Sequence, residues 1–150
     1  MYKIGLINAP VFYISAFFEK NRDEYYERLQ AVSRDNDWTG WCEFFLKAVL
    51  YQAKENQIKS TNILKLYEKK KDQIVQITHS QYSIHTLDFI FSHIIFQSTD
   101  FVNIKEIPIP TAKRILATLR DNNILITIRR SSGRRSAIYA FPELINITEA

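Results

Sequence analysis

The sequence predicts a mainly α-helical chain that ends in a small β-hairpin, and three observations carry that prediction. Glycine and proline are scarce, 3 and 4 among 150 residues, which disfavours a loop-rich or all-β chain. Apolar residues recur at three and four positions through most of the length. Only near the C-terminus do two short β-branched runs, "ILITIRR" and "SAIYAF", flank a glycine-containing loop, "SSGRR", which is a hairpin signal.

The elements follow in order. Residues 1–14 are apolar with a break at Asn8-Ala9-Pro10, as a helix end and a short extended link would be, because the residue before proline avoids the helical region. Ser15 can cap a short turn, with Glu19 near its start. A helix is expected from about Asn21 to Arg34, with Tyr25, Tyr26, Leu29 and Val32 as its apolar beat. Asp23 and Glu24 sit at its positive end. "RDNDW" is a polar turn in which Asp37 can cap the next helix. Trp38, Trp41, Phe45, Val49 and Ala53 form one stripe of that helix. The beat continues through Ile63, Leu66 or Tyr67, Ile74 and Ile77, for about 40 residues in all. A helix that long packs on a neighbour, kinks near Ser60-Thr61, or both. The charge run "YEKKKD" reads as a solvated face.

A second unit begins after "HSQYS". Ser83 can cap a helix with Leu87, Ile90, Phe91, Ile94 and Ile95 on one face. "STDFVNIKEIPIP" is irregular, with a short strand expected at Phe101–Ile104. Pro110-Thr111 opens a helix to about Asn122, where proline's missing N–H costs nothing. Ala112, Ile115, Leu116 and Leu119 face inward. Lys113, Arg114, Thr118 and Arg120 face outward. Asn122-Asn123 closes the helix, both being tolerant of positive φ. The hairpin follows.

Composition excludes several function classes. Cys42 is the one cysteine, so neither a disulfide framework nor a cysteine-rich zinc site forms within one chain. Cys42 beside Trp41 reads as an inert core thiol, and Trp38 and Trp41 as core anchors. No N-terminal stretch has a signal-peptide layout. No apolar run reaches the roughly 18–20 residues that span a bilayer. A cytoplasmic protein without membrane partners is expected. His79 and His85 flank Ser83 without metal-ligand spacing, and His93, beside Ile94, Ile95 and Phe96, reads as a partly buried helix residue. No metal site is expected.

The order helix, link, helix, hairpin is that of a winged helix-turn-helix, in which the second helix meets the DNA major groove and the hairpin touches backbone. Its first helix would have to be very small or missing here. Between Phe101 and Phe141 lie eight basic residues and two acids, Glu106 and Asp121, a net of +6 against +4 for the whole chain. Basic side chains on phosphates give sequence-independent affinity by releasing counterions. Thr111, Lys113 and Arg114 are the candidates for groove contact, and Arg129, Arg130, Arg134 and Arg135 for phosphates. The partner expected on this reading is double-stranded DNA. The competing reading of the same unit is packing or protein contact.

The first half carries a family resemblance. "KIGLINAPVFYISAFFEKNRDEYYERLQAVSRDNDWTGWCEFFLKAVLYQA" resembles the C-terminal helices of Fic-domain proteins (filamentation induced by cyclic AMP). The matching pieces are "GLI", "P" with "YIS", "FFEKNRDEYYERLQAV", "DW…W…FFL" and "QA". Many bacterial Fic proteins continue into a winged helix, and "TAKRILATLRDNNIL" with "SGRRSAIYAF" looks like one. The resemblance covers almost the whole chain. It implies a helical Fic C-terminal remnant over residues 1–80 and a winged-helix domain over 81–150.

Typical Fic proteins transfer AMP from ATP to a protein hydroxyl. Their H-P-F-x-x-G-N-G-R signature supplies a histidine base and an anion-binding nest with an arginine, as the chemistry requires. That signature is absent here: none of the histidines precedes Pro-Phe, and Gly5, Gly40 and Gly133 stand apart. In the family it lies just upstream of the segment matching "MYKIGLI", so the chain looks like a Fic protein without its catalytic half. No catalytic residue and no cofactor is expected, and tight ATP binding is not, since no phosphate cradle is present. The resemblance implies that Tyr25 and Tyr26 border the remnant of a nucleotide pocket, Tyr26 the more directly. Asn21 and Arg22 would cap and brace their helix. Packing is the alternative role of all four. The alternative function is that of a C-terminal region of a protein adenylyltransferase whose winged helix serves dimerisation or recognition of a protein target. Loss of the catalytic half would bare Ile4, Leu6, Ile7, Val11 and Phe12, so a homo-oligomer that hides them is expected.

Overall fold

The structure, a computed structural model, describes residues 14–149. These form α1 (Ile14–Lys20), α2 (Arg22–Asp35), α3 (Trp38–Thr78), α4 (Ser83–Ser92), β1 (Ile95–Gln97), α5 (Ser98–Val102), α6 (Ile109–Asp121), β2 (Ile126–Arg129), β3 (Ile138–Ala140) and α7 (Pro142–Glu149). The described residues are mainly helical with one small antiparallel sheet in the order β1-β3-β2, which matches the coarse expectation. Among them no helix is long and apolar enough to cross a membrane. The expectations at Asn8-Ala9-Pro10 and at Ile4, Leu6, Ile7, Val11 and Phe12 lie outside the described residues.

Packing divides the chain into two compact units, Met1–Ser60 and Thr61–Ala150. The division falls within α3 and not near residue 80, because the second half of α3 belongs to the C-terminal core. Ile63, Leu66, Tyr67, Ile74 and Ile77 all pack into that core. No break accompanies the division: α3 runs through Ser60-Thr61 as one helix of 41 residues.

In the first unit, α1 and α2 are parted at Asn21. Its side-chain amide donates to the Phe17 carbonyl at 2.8 Å, so Asn21 finishes α1 and does not cap α2 with its side chain. Asn36 ends α2 in the left-handed region, φ 58°, as asparagine tolerates. Asp37 does cap α3: the Gly40 N–H donates to its Oδ1 at 2.9 Å. The core is aromatic. Phe44 is buried, with the rings of Phe17, Phe18, Tyr25 and Trp41 centred 5.6–6.5 Å from it.

The expected stripe of α3 is therefore corrected. In the first unit α3 buries Gly40, Phe44 and Ala48; of the expected stripe, Trp41, Phe45 and Val49 are half-buried, while Trp38 is 58% exposed and Ala53 is exposed. One residue is a 100° turn of a helix, so the buried line runs beside the expected stripe, whose two ends face solvent. Trp38 instead lies over the preceding turn, its indole N–H donating to Asn36 Oδ1 at 2.9 Å. Cys42 is exposed and is not a core thiol, since Phe44 and Ala48 define the opposite face.

The second unit has a contiguous core of Leu66, Ile74, Leu87, Ile90, Phe96, Phe101, Ile107, Ile115, Leu119, Ile124, Leu125 and Phe141 among others. Lys70 is only 3% exposed, so "YEKKKD" is not wholly a solvated face. Its ammonium meets Glu143 at 2.5 Å and Gln73 at 2.8 Å. Ser83 lies in the first turn of α4 and does not cap it. It is buried, its hydroxyl directed back to the Ser80 carbonyl and 2.9 Å from Thr78 Oγ1.

The helix from Ser83 ends earlier than expected. Ile94 and Ile95 leave it, and Ile95 enters β1. His93 is exposed and not partly buried, its ring stacked on Phe89 at 4.3 Å. The expected strand at Phe101–Ile104 is also corrected: Ser98–Val102 is helix α5. Its start is held by Asp100, whose carboxylate accepts the Gln97 N–H at 3.0 Å, and Phe101 is fully buried beneath it. α6 buries Ala112, Ile115, Leu116 and Leu119, the four residues expected inward. Asn123, φ 56°, turns the chain out of α6.

Candidate nucleic-acid interface

The basic residues gather on α6 and on the β2–β3 hairpin. The hairpin tip is tightly closed. Ser132 and Arg135 exchange both N–H···O bonds, at 3.1 and 3.0 Å, around Gly133-Arg134. Gly133 has φ +55°, a conformation that glycine adopts without the Cβ penalty. Lower down, β2 pairs with β3 as Thr127↔Tyr139 and Arg129↔Ile138, so Ile128 is an extra, bulged residue. A bulge sharpens local twist and re-aims side chains.

Arg129, Arg130, Arg134 and Arg135 on the hairpin are all exposed. Arg129 donates to the Ser136 carbonyl at 3.3 Å, which ties it to the base of the hairpin. Among the described residues, the side chains of Arg130, Arg134 and Arg135 have no hydrogen bond or ion pair. On α6, Lys113 is exposed and Thr111 is half-buried in the first turn. Arg114 is engaged: its Nη1 donates to the Thr78 carbonyl at 3.2 Å, closing the last carbonyl of α3. It therefore braces α3 against α6, which sets it apart from Thr111 and Lys113, the other two α6 residues expected at a groove.

A cleft of about 560 Å³ lies between the end of α6 and the hairpin, lined by Arg120, Thr127, Arg130, Ser131, Ala137 and Tyr139. Arg120 donates through Nε and Nη2 to Asp121 Oδ1, at 3.0 and 2.9 Å. That bond, the Asp121 charge and the nearby Tyr139 hydroxyl hold the Arg120 pKa above its ordinary value. Sequence reading identified Arg130 and placed Arg120 outward, but it missed Thr127, Ser131 and Tyr139 as one group. Thr127 and Tyr139 share a row only through the β2–β3 register, and no spacing along the chain reveals that register.

The tyrosines in the first unit part company. Tyr25 packs among Phe18, Trp41 and Tyr26, with ring centroids 5.1, 5.8 and 5.4 Å away. Tyr26 is half exposed, with the Arg22 guanidinium 5.8 Å over its ring. It borders an open groove of about 470 Å³ whose lining, Tyr26, Leu29, Gln30, Ser33 and Arg34, comes from α2 alone. Arg34 is already paired with Asp35 at 2.7 Å, which lowers the Asp35 pKa through that hydrogen bond and charge. Among the described residues, no group of three or more His, Cys, Asp or Glu is placed to hold a metal ion. No protein-family model matches the chain.

Proposed function

We propose that residues 61–150 form a winged helix that contacts double-stranded DNA, and that the chain is a non-catalytic module of the Fic family. The fold reading rests on the order α4-β1-α5-α6-β2-β3 and on a sheet in which β1 lies beside β3. α5 then serves as the very small first helix of the helix-turn-helix, and α6 as the second. The DNA reading is carried by one observation: Arg130, Arg134 and Arg135, on a tightly closed hairpin, have no anionic partner among the described residues. Unpaired guanidiniums on a fixed turn suit phosphate oxygens. In this reading Thr111 and Lys113 meet the major groove, Arg129, Arg130, Arg134 and Arg135 hold phosphates, and Arg114 fixes the angle of α6. The non-catalytic reading rests on the 150 residues themselves, which contain no H-P-F-x-x-G-N-G-R segment.

The test is fluorescence anisotropy of labelled duplex DNA at two salt concentrations, with wild type beside Arg134→Ala/Arg135→Ala. Affinity is expected to fall steeply with salt, and the slope of log K against log salt to drop by about 1.8 in the double variant. Absence of binding at low salt would sink the DNA reading.

A second reading is favoured by a separate observation. Ile95 and Ile126 both pair with Ala140 across the sheet, so they share one face, and they are 58% and 47% exposed. Two exposed isoleucines on either side of the buried Ala140 suit protein contact. In that reading the unit serves dimerisation or target recognition in a protein adenylyltransferase. Ile126→Lys separates the two: it is expected to abolish self-association or target binding if that reading holds, and to leave DNA affinity intact or raised if the first one does.

A further inference from the structure

We propose that the cleft between α6 and the hairpin is a seat for one phosphoryl group, held by Arg120, Arg130, Thr127, Ser131 and Tyr139. The seat stands on its own geometry and depends on the DNA reading only for the source of the phosphate.

The lining is a donor set. Two guanidiniums and three hydroxyls border one cleft, and a tetrahedral anion with several acceptor oxygens can use them together. The carboxylate in direct contact with this set is Asp121. It takes Nε and Nη2 of Arg120 through one oxygen, so it orients that guanidinium at a helix end. Two guanidiniums against one carboxylate leave a single net positive charge, which matches a phosphodiester and is less than a phosphate dianion would draw. Thr127 and Tyr139 are held opposite each other by the strand register, so their hydroxyls sit on ordered backbone. Arg130 and Ser131 come from the first residues past β2, beside the bulge at Ile128. The cleft thus lies between the helix and the hairpin assigned to DNA, where a backbone phosphate would pass from one to the other.

The experiment uses the full chain. Inorganic phosphate is titrated against chloride at matched ionic strength, following the Nε–Hε resonances of the arginines by NMR. Arg120→Gln and Tyr139→Phe are measured beside wild type in the DNA anisotropy assay. Arg120 is exposed and Tyr139→Phe keeps the packed ring, and circular dichroism of both variants verifies their fold. The expected result is that phosphate, and not chloride, shifts Arg120 and Arg130, and that Arg120→Gln lowers the salt slope by about 0.9. If phosphate shifts them while DNA does not bind, or binds with an unchanged slope in Arg120→Gln, the seat stands and takes a free phosphoryl ligand. If phosphate moves no arginine beyond chloride and Arg120→Gln binds DNA as wild type does, the seat is overturned. The DNA reading is then judged on Arg134 and Arg135 alone.

Discussion

Thr86 carries a hydroxyl that has no partner among the described residues. The residue is fully buried in α4, and its Oγ1 has no hydrogen bond there. A buried hydroxyl without a partner costs on the order of 1–3 kcal/mol. Thr86→Val keeps the shape and removes the cost, so it is expected to raise stability by about 1 kcal/mol. A lower urea midpoint in the valine variant would contradict this. Lys70 is the opposite case, a buried charge that is satisfied. Glu143 is partly exposed, so water weakens the pair, yet losing it strands an ammonium in the core. Glu143→Ala is expected to cost about 2 kcal/mol in urea unfolding, below the range for a fully buried pair. Lys70→Met/Glu143→Ala should recover most of that loss, because an apolar side chain needs no partner there.

Tyr67 joins two helices of the C-terminal unit through a hydrogen bond of 2.7 Å to Asp88 Oδ1. That bond, with smaller contributions from burial and the Asp88 charge, raises the Tyr67 pKa above 10.0. A raised folded-state pKa means the folded chain holds the proton more tightly. The stability it contributes is complete below pH 10 and is lost as pH rises through the folded value. Tyr67→Phe should flatten the pH dependence of stability above pH 10, and an unchanged profile would show that the bond does not contribute.

At the scale of elements, the start of α3 depends on a missing side chain. A Cβ on Gly40 would collide with the Asp37 carboxylate and come within 2.9 Å of Arg28 Nη1. Alanine improves helix propensity by up to about 1 kcal/mol in a helix interior, and less in the first turn. Displacing the Asp37 cap costs about 1 kcal/mol, and Arg28 must also move. Gly40→Ala is therefore expected to lower Tm. A higher Tm would mean that the cap adapts without loss. The β2–β3 hairpin is specified locally instead. Gly133 supplies the left-handed turn, and the bulge at Ile128 lets the strand carry both its apolar row and its arginines.

At the scale of the whole molecule, the question is where the C-terminal unit starts. A fragment of residues 61–150 contains the whole of the core that surrounds Leu87 and Phe101, whereas one of residues 81–150 lacks Leu66, Ile74 and their neighbours. Removing one such buried aliphatic side chain costs about 2–5 kcal/mol, comparable to a sizeable share of a small domain's stability. The longer fragment is expected to unfold cooperatively on heating. The shorter one is expected to lack a cooperative transition, and a sharp melt of residues 81–150 would restore the boundary near residue 80.

Local chemistry by itself determined much of this protein. The capping of α3 by Asp37, the inward face of α6, the stop at Asn122-Asn123 and the glycine-centred hairpin were all legible, because each depends on residues within a turn or two. Three features were decided chiefly by tertiary packing. Phe101 became helical because its ring fills the core while Asp100 caps the turn, and a strand pattern of four residues cannot compete with that burial. Phe44, not Trp38, faces inward because four aromatic rings from α1, α2 and α3 close around it. The second half of α3 joined the C-terminal unit because Leu66 and Ile74 bury there. The candidate phosphate seat belongs with these. Arg120, Thr127, Arg130 and Tyr139 are ordinary residues along the chain, and only the register of two strands against the end of one helix brings them to a single cleft.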